Sequence, residues 1–65
     1  MFTNRISVLA REKGLKHGYL AKQCGVAAQT FSNWTTNKTQ PPLDKAFILA
    51  DLLGVKVDDL HERSN

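Results

Sequence analysis

Apolar residues recur at steps of three and four in five short segments, and glycine or proline separates one segment from the next. Phe2, Ile6, Leu9, Ala10 and Lys13 follow this spacing and predict a first helix from about Asn4 to Lys13, with Thr3 or Asn4 to cap it and Gly14 to end it. A second helix is predicted from about His17 to Cys24, burying Leu20, Ala21 and Cys24 before Gly25. Two or three residues later a third runs from about Ala28 to Thr36, with Phe31 and Trp34 on one face. So tight a turn makes the second and third helices cross steeply. The polar stretch Thr35 to Pro42 forms a loop in which Asn37 can adopt the left-handed conformation, and Pro42 can open the next helix. That fourth helix, about Leu43 to Leu53, carries Leu43, Ala46, Phe47, Ala50 and Leu53 on one stripe and ends at Gly54. A short fifth helix, about Val57 to Glu62, turns Val57 and Leu60 inward.

These stripes supply one core: Ile6, Leu9, Leu15, Leu20, Ala21, Val26, Phe31, Trp34, Leu43, Phe47, Ala50, Leu53, Val55 and Leu60. The expected fold is all-α, a compact five-helix domain spanning residues 1–65 with its core in 4–62. A chain of 65 residues supports one such core. With 42% hydrophobic and 23% charged residues it matches folded rather than disordered chains. Cys24 is the sole cysteine, so no internal disulfide is possible and a reducing compartment, the cytoplasm, is expected. No apolar run reaches the ~20 residues of a membrane span, and no signal-peptide stretch follows Met1. Charge is divided unevenly. Over residues 1–40, Arg5, Arg11, Lys13, Lys16, Lys22 and Lys38 are opposed by Glu12 alone, whereas residues 41–65 carry more acid than base. The first part is therefore the one suited to a polyanion.

The stretch from Gly14 to Trp34, with Leu20-Ala21, Gly25-Val26, Phe31 and Trp34 at fixed spacing, resembles the helix-turn-helix of the Cro/C1-type (Xre-like) DNA-binding family. Asn37-Lys38 and Pro41, Arg11-Glu12-Lys13-Gly14-Leu15 before it, and Ala50-Asp51-Leu52-Leu53-Gly54-Val55 after it extend the likeness to about residues 5–60. Each piece alone is weak; their joint spacing is specific. Physical reasons accompany the pattern. Ala21 is small where two helices approach, Gly25 supplies the turn, Val26 pins it, and the two aromatics seat the third helix with its other face outward. The resemblance implies a lambda-repressor-like fold and a bacterial or phage transcriptional repressor that binds double-stranded DNA as a homodimer on a two-fold operator.

It also implies that Ala27, Ala28, Gln29, Ser32 and Asn33 read bases in the major groove. Gln29 and Asn33 can pair with the N6 and N7 edge of adenine, and the alanine methyls suit the thymine methyl. No Arg or Lys lies on this face, so directly read positions are expected to favour A·T pairs. Phosphate contacts are expected from Lys16 and His17 at the start of the second helix and from Asn37, Lys38 and Thr39 in the loop.

The chain departs from the family pattern where His17 stands for a usual Gln, where Lys16, Ala27 and Lys56 replace capping Ser or Thr, and where Ala10 and Thr35 replace an Arg–Glu pair. Losing both members of that pair together strands no charge. Ile48 and Leu52, four apart on the fourth helix, fit either an enlarged core or, with Val57, a dimer seam. Cys24 reads as a core residue, and Asp58, Asp59, His61 and Glu62 as a solvated helix rather than a metal site. Ser7, Ser32 and Ser64 have no matching base or oxyanion motif, and no phosphate-binding glycine loop exists, so neither an enzyme nor a cofactor is expected. Two rival readings stay open: an antitoxin whose main partner is a toxin protein, and an interaction module that has lost DNA reading.

Overall fold

The computed structural model describes the backbone of residues 2–63 and the side chains of residues 3–61; Ser64 falls outside them. Strand β1 (Phe2–Asn4) leads into helices α1 (Ile6–Lys13), α2 (His17–Cys24), α3 (Ala28–Thr35) and α4 (Leu43–Leu53), followed by a 3₁₀ turn (Val57–Leu60) and strand β2 (His61–Arg63). Three helices stop by one device. Beyond α1, α2 and α4 stands a left-handed glycine, and the next residue's N–H returns to a carbonyl of the last turn: Leu15 to Ala10 at 2.8 Å, Val26 to Ala21 at 3.1 Å and Val55 to Ala50 at 3.0 Å. The apolar side chain of that next residue then folds back on the core, so each stop signal also contributes packing.

Among the described residues the core is wholly apolar: Ile6, Leu9 and Ala10 of α1, Leu20, Ala21 and Cys24 of α2, Phe31 and Trp34 of α3, Ala46, Leu49, Ala50 and Leu53 of α4, and Leu60. No buried side-chain nitrogen or oxygen among them lacks a partner. α2 packs on α3 and α4, and α1 bridges α3 and α4.

Two expectations are corrected. Four α-helices are found among the described residues where five were expected; the helical class holds, with one short two-stranded pairing added to it. The final segment is too short to repay helix nucleation. It makes one 3₁₀ turn, closed by the Asp59 carboxylate accepting the Lys56 N–H at 3.3 Å, and then extends. There it pairs antiparallel with β1, setting Asn4 opposite His61 and Thr3 opposite Glu62, so Phe2 belongs to a strand and α1 starts at Ile6. The second correction is the phase of α4. Its buried stripe is Ala46, Leu49, Ala50 and Leu53, while Leu43 and Phe47 are 67% and 55% exposed. α4 is apolar nearly all round, so two stripes fit the spacing equally. Ala46, Ala50 and Leu53 belong to both, and the one adopted buries Leu49 in place of Leu43 and Phe47.

Candidate nucleic-acid interface

The turn between α2 and α3 is set by Gly25 at φ 71°, a conformation that strains any residue bearing a Cβ. The chain then extends through Ala27 (φ −69°, ψ 152°) and enters α3, the Phe31 N–H donating to the Ala27 carbonyl at 3.1 Å. Phe31 and Trp34 are buried, their ring centroids 5.8 Å apart in a tilted pair. A second tilted contact, at 5.5 Å, lays the imidazole of His17 against Phe31. α3 is thereby held from below by the core and from the side by the first residue of α2.

With that face anchored, the opposite face is open. Ala27, Ala28, Gln29 and Ser32 are exposed and Asn33 is half-buried. The two amides meet across one helical turn, Gln29 Nε2 donating to Asn33 Oδ1 at 3.1 Å. This leaves Gln29 Oε1 as an acceptor and the Asn33 Nδ2 group as a donor, the combination an adenine edge requires. Lys16 and His17 are exposed at the start of α2, where no side chain caps the first-turn N–H groups. His17 Nε2 lies 3.5 Å from Ser7 Oγ of α1, so the imidazole is oriented rather than loose.

The loop after α3 is equally fixed. Asn37 is the one non-glycine residue with positive φ, at 64°, among those described. Its N–H donates to the Trp34 carbonyl at 3.1 Å, and the N–H groups of Lys38 and Thr39 both reach the Asn33 carbonyl, at 2.9 and 3.3 Å. The Thr35 and Thr36 hydroxyls take the Ser32 carbonyl at 2.9 and 3.0 Å. Lys38 and Thr39 are held exposed beside the end of α3.

Asn4, expected only as a cap of the first helix, and Gln40, expected only as part of the polar loop, complete this region. Asn4 Nδ2 donates to the Trp34 carbonyl and, at 2.9 Å, to Gln40 Oε1, while its backbone N–H donates to Asn37 Oδ1 at 2.8 Å. An Asn before a helix signals a local cap, and Asn4 does serve α1 in that way, its Oδ1 accepting the Ile6 N–H at 3.3 Å. The bonds spanning some thirty residues leave no trace in local pattern.

Elsewhere, Cys24 is buried, and burial raises its thiol pKa against a smaller lowering by Lys45. No metal-holding cluster of His, Cys, Asp or Glu occurs among the described residues, and no described helix is long and apolar enough to cross a membrane. Ile48, Leu52 and Val57 are half-buried against the core. The exposed apolar surface of α4 is Leu43 and Phe47, and Phe47 forms one wall of an open groove of about 370 Å³ with Ala50, Val55 and Val57, rimmed by Asp51, Lys56 and Asp58.

Comparison with known proteins agrees with this geometry. The family profile described as Helix-turn-helix matches residues 8–60. The uncharacterized HTH-type transcriptional regulator YobD of Bacillus subtilis (strain 168) is 34% identical over 58 residues, which cover 89% of this chain and 52% of YobD. The chain therefore spans about half the length of that relative. A crystal structure of a Bacteroides fragilis protein named for DNA binding superposes with a TM-score of 0.89 at 40% identity, covering 95% of this chain and 100% of that one. A transcriptional regulator from Listeria innocua gives 0.81 at 26% identity over 94% of this chain and 57% of its own.

Proposed function

Because this chain belongs to the Cro/C1-type helix-turn-helix family, we propose that it is a sequence-specific double-stranded DNA-binding transcriptional regulator, a small repressor that occupies a two-fold operator as a dimer. One observation carries the reading: α3 is clamped by Phe31 and Trp34, with Gln29 exposed and Asn33 half-buried and bonded to it on the other face. Ala27, Ala28 and Ser32 complete the base-reading face, and Lys16, His17, Asn37, Lys38 and Thr39 hold phosphates on either side of it. Selection of bound duplexes from random DNA tests this. A·T-rich contacted positions are expected, and guanine at those positions would refute the assignment of the readers. Gln29→Ala then loses about 1 to 3 kcal/mol of discrimination at one or two base pairs, whereas Lys38→Ala weakens all sequences alike and flattens the log-log salt slope by about one. Identical behaviour of the two variants would remove α3 as the reader.

Dimerisation is assigned to the exposed part of α4 and its groove. A two-fold axis there lets Phe47 of each copy enter the partner's groove against Val55 and Val57 and sets Lys56 opposite Asp51 or Asp58. The charges on the rim complement themselves, which favours a second copy over a foreign chain. Burying the half-exposed Leu43 and Phe47 of both copies yields about 1 kcal/mol each, little against the 4 to 15 kcal/mol cost of association. The dimer is accordingly weak in solution and assembles on DNA, where half-sites ~34 Å apart suit two domains of 32 × 23 × 21 Å. With roughly eight phosphate contacts, the salt slope is about −7. Phe47→Glu is expected to keep half-site affinity while losing cooperative filling of the two-fold site. Cooperativity unchanged by this variant, or a stable complex with a toxin-type protein at the same face, would refute the assignment.

A further inference from the structure

Asn4 stands where three parts of the chain meet: the end of β1, the start of α1 and the loop that follows α3. Its side chain offers one acceptor and two donors, and all three are used. Oδ1 takes the Ile6 N–H, and the two Nδ2 hydrogens go to the Trp34 carbonyl and to Gln40 Oε1. Its backbone N–H adds a fourth bond, to Asn37 Oδ1, and Gln40 Nε2 donates to that same oxygen at 3.1 Å. One residue thus satisfies a first-turn N–H of one helix and a last-turn carbonyl of another, two classes of group that helices leave without internal partners. No other side chain serves here. Asp has the length but no donors, and Gln places the amide one methylene too far. The strand pairing of Asn4 with His61 and the Arg5 N–H bond to the Leu60 carbonyl at 2.6 Å hold Asn4 itself in place.

The segment so held, Asn37 to Gln40, contains Lys38. Asn37 occupies a left-handed conformation there, and its Oδ1 accepts from two donors, the Asn4 backbone N–H and Gln40 Nε2. We propose that Asn4 is a positioning residue for DNA binding. Through Asn37 and Gln40 it fixes the loop so that Lys38 and Thr39 meet the phosphate backbone in register with α3, and the paired chain ends thereby support the interface. The proposal rests on the reading of Lys38 as a phosphate contact, and it adds a role for Asn4 and Gln40, neither of which is among the assigned DNA contacts.

The test measures affinity for a random-sequence duplex of about 20 base pairs by fluorescence anisotropy across a salt series, well below the melting temperature of each variant. Asn4→Ala is expected to weaken binding about fivefold and to flatten the salt slope toward that of Lys38→Ala. Its effect should vanish when Lys38 is already alanine, because a residue that acts through Lys38 has nothing left to position. Gln40→Ala leaves the start of α1 intact and should act in the same direction, which keeps the test decisive if Asn4→Ala unfolds. A merely structural role for Asn4 would lower the melting temperature and leave the slope untouched. Wild-type binding by Asn4→Ala and Gln40→Ala while Lys38→Ala is impaired would overturn the positioning role alone. So would effects of Asn4 and Lys38 that multiply independently. Wild-type binding by Lys38→Ala would overturn the reading of the loop and the proposal with it.

Discussion

In none of the four described α-helices does the N-cap residue itself, Arg5, Lys16, Ala27 or Pro42, supply a side-chain bond, and α3 offers the cleanest place to measure what that costs. Ala27 already holds the extended geometry of a capping residue, at φ −69° and ψ 152°, and its carbonyl already accepts the first helical bond from Phe31. Only an acceptor for the first-turn N–H groups is absent. A hydroxyl on this exposed Cβ can take the N–H of Thr30 without moving the backbone. Ala27→Ser is therefore expected to stabilise the domain by about 1 kcal/mol. In a domain of this size that raises the melting temperature by about 4 to 8 °C. Thermal unfolding followed by far-UV circular dichroism, without DNA, reads it directly. A melting temperature equal to or below that of the parent would show that α3 does not start at Ala27, or that those N–H groups are already satisfied.

The hydrogen bond between Gln29 and Asn33 makes them one reader, so the losses of discrimination in Gln29→Ala and Asn33→Ala should fall short of additivity by at least about 0.5 kcal/mol in a double-mutant cycle on a selected duplex; strict additivity would refute it. A Cβ at Gly25 would meet no atom within 4 Å, yet φ is 71°, so Gly25→Ala should destabilise by about 1 kcal/mol in denaturant titration through backbone strain alone. Cys24 ionises less readily folded than unfolded, so its contribution to stability is intact below the ordinary thiol pKa of 9.0 and is lost as pH rises beyond it. Melting temperatures should accordingly fall more steeply above that pH in the parent than in Cys24→Ala, and parallel curves would refute the coupling.

The parts of the structure visible in the sequence are those that local chemistry decides. Glycine followed by an apolar residue located the ends of α1, α2 and α4, and Phe31 and Trp34 at a spacing of three gave the orientation of α3. Where local pattern allowed two answers, tertiary packing chose. α4 carries leucines, an isoleucine, a phenylalanine and alanines around its whole circumference, and Leu49 rather than Phe47 is buried. The residues after Leu60 held too few apolar positions to declare a period, and their pairing with β1 depends on a partner nearly sixty residues away. Asn4 was legible as a cap and illegible as a brace, because its bonds to Trp34, Asn37 and Gln40 belong to the assembled fold.

Antiparallel pairing sets Phe2 opposite Arg63, so the two extremities of the described backbone lie about 5 Å apart. Joining them by a few flexible residues would close the polypeptide into a ring with little strain, and reopening that ring at an exposed turn would give a rearranged chain order with the same contacts. The architecture is thus indifferent to where synthesis begins. Anything fused to either extremity emerges from the same side of the molecule.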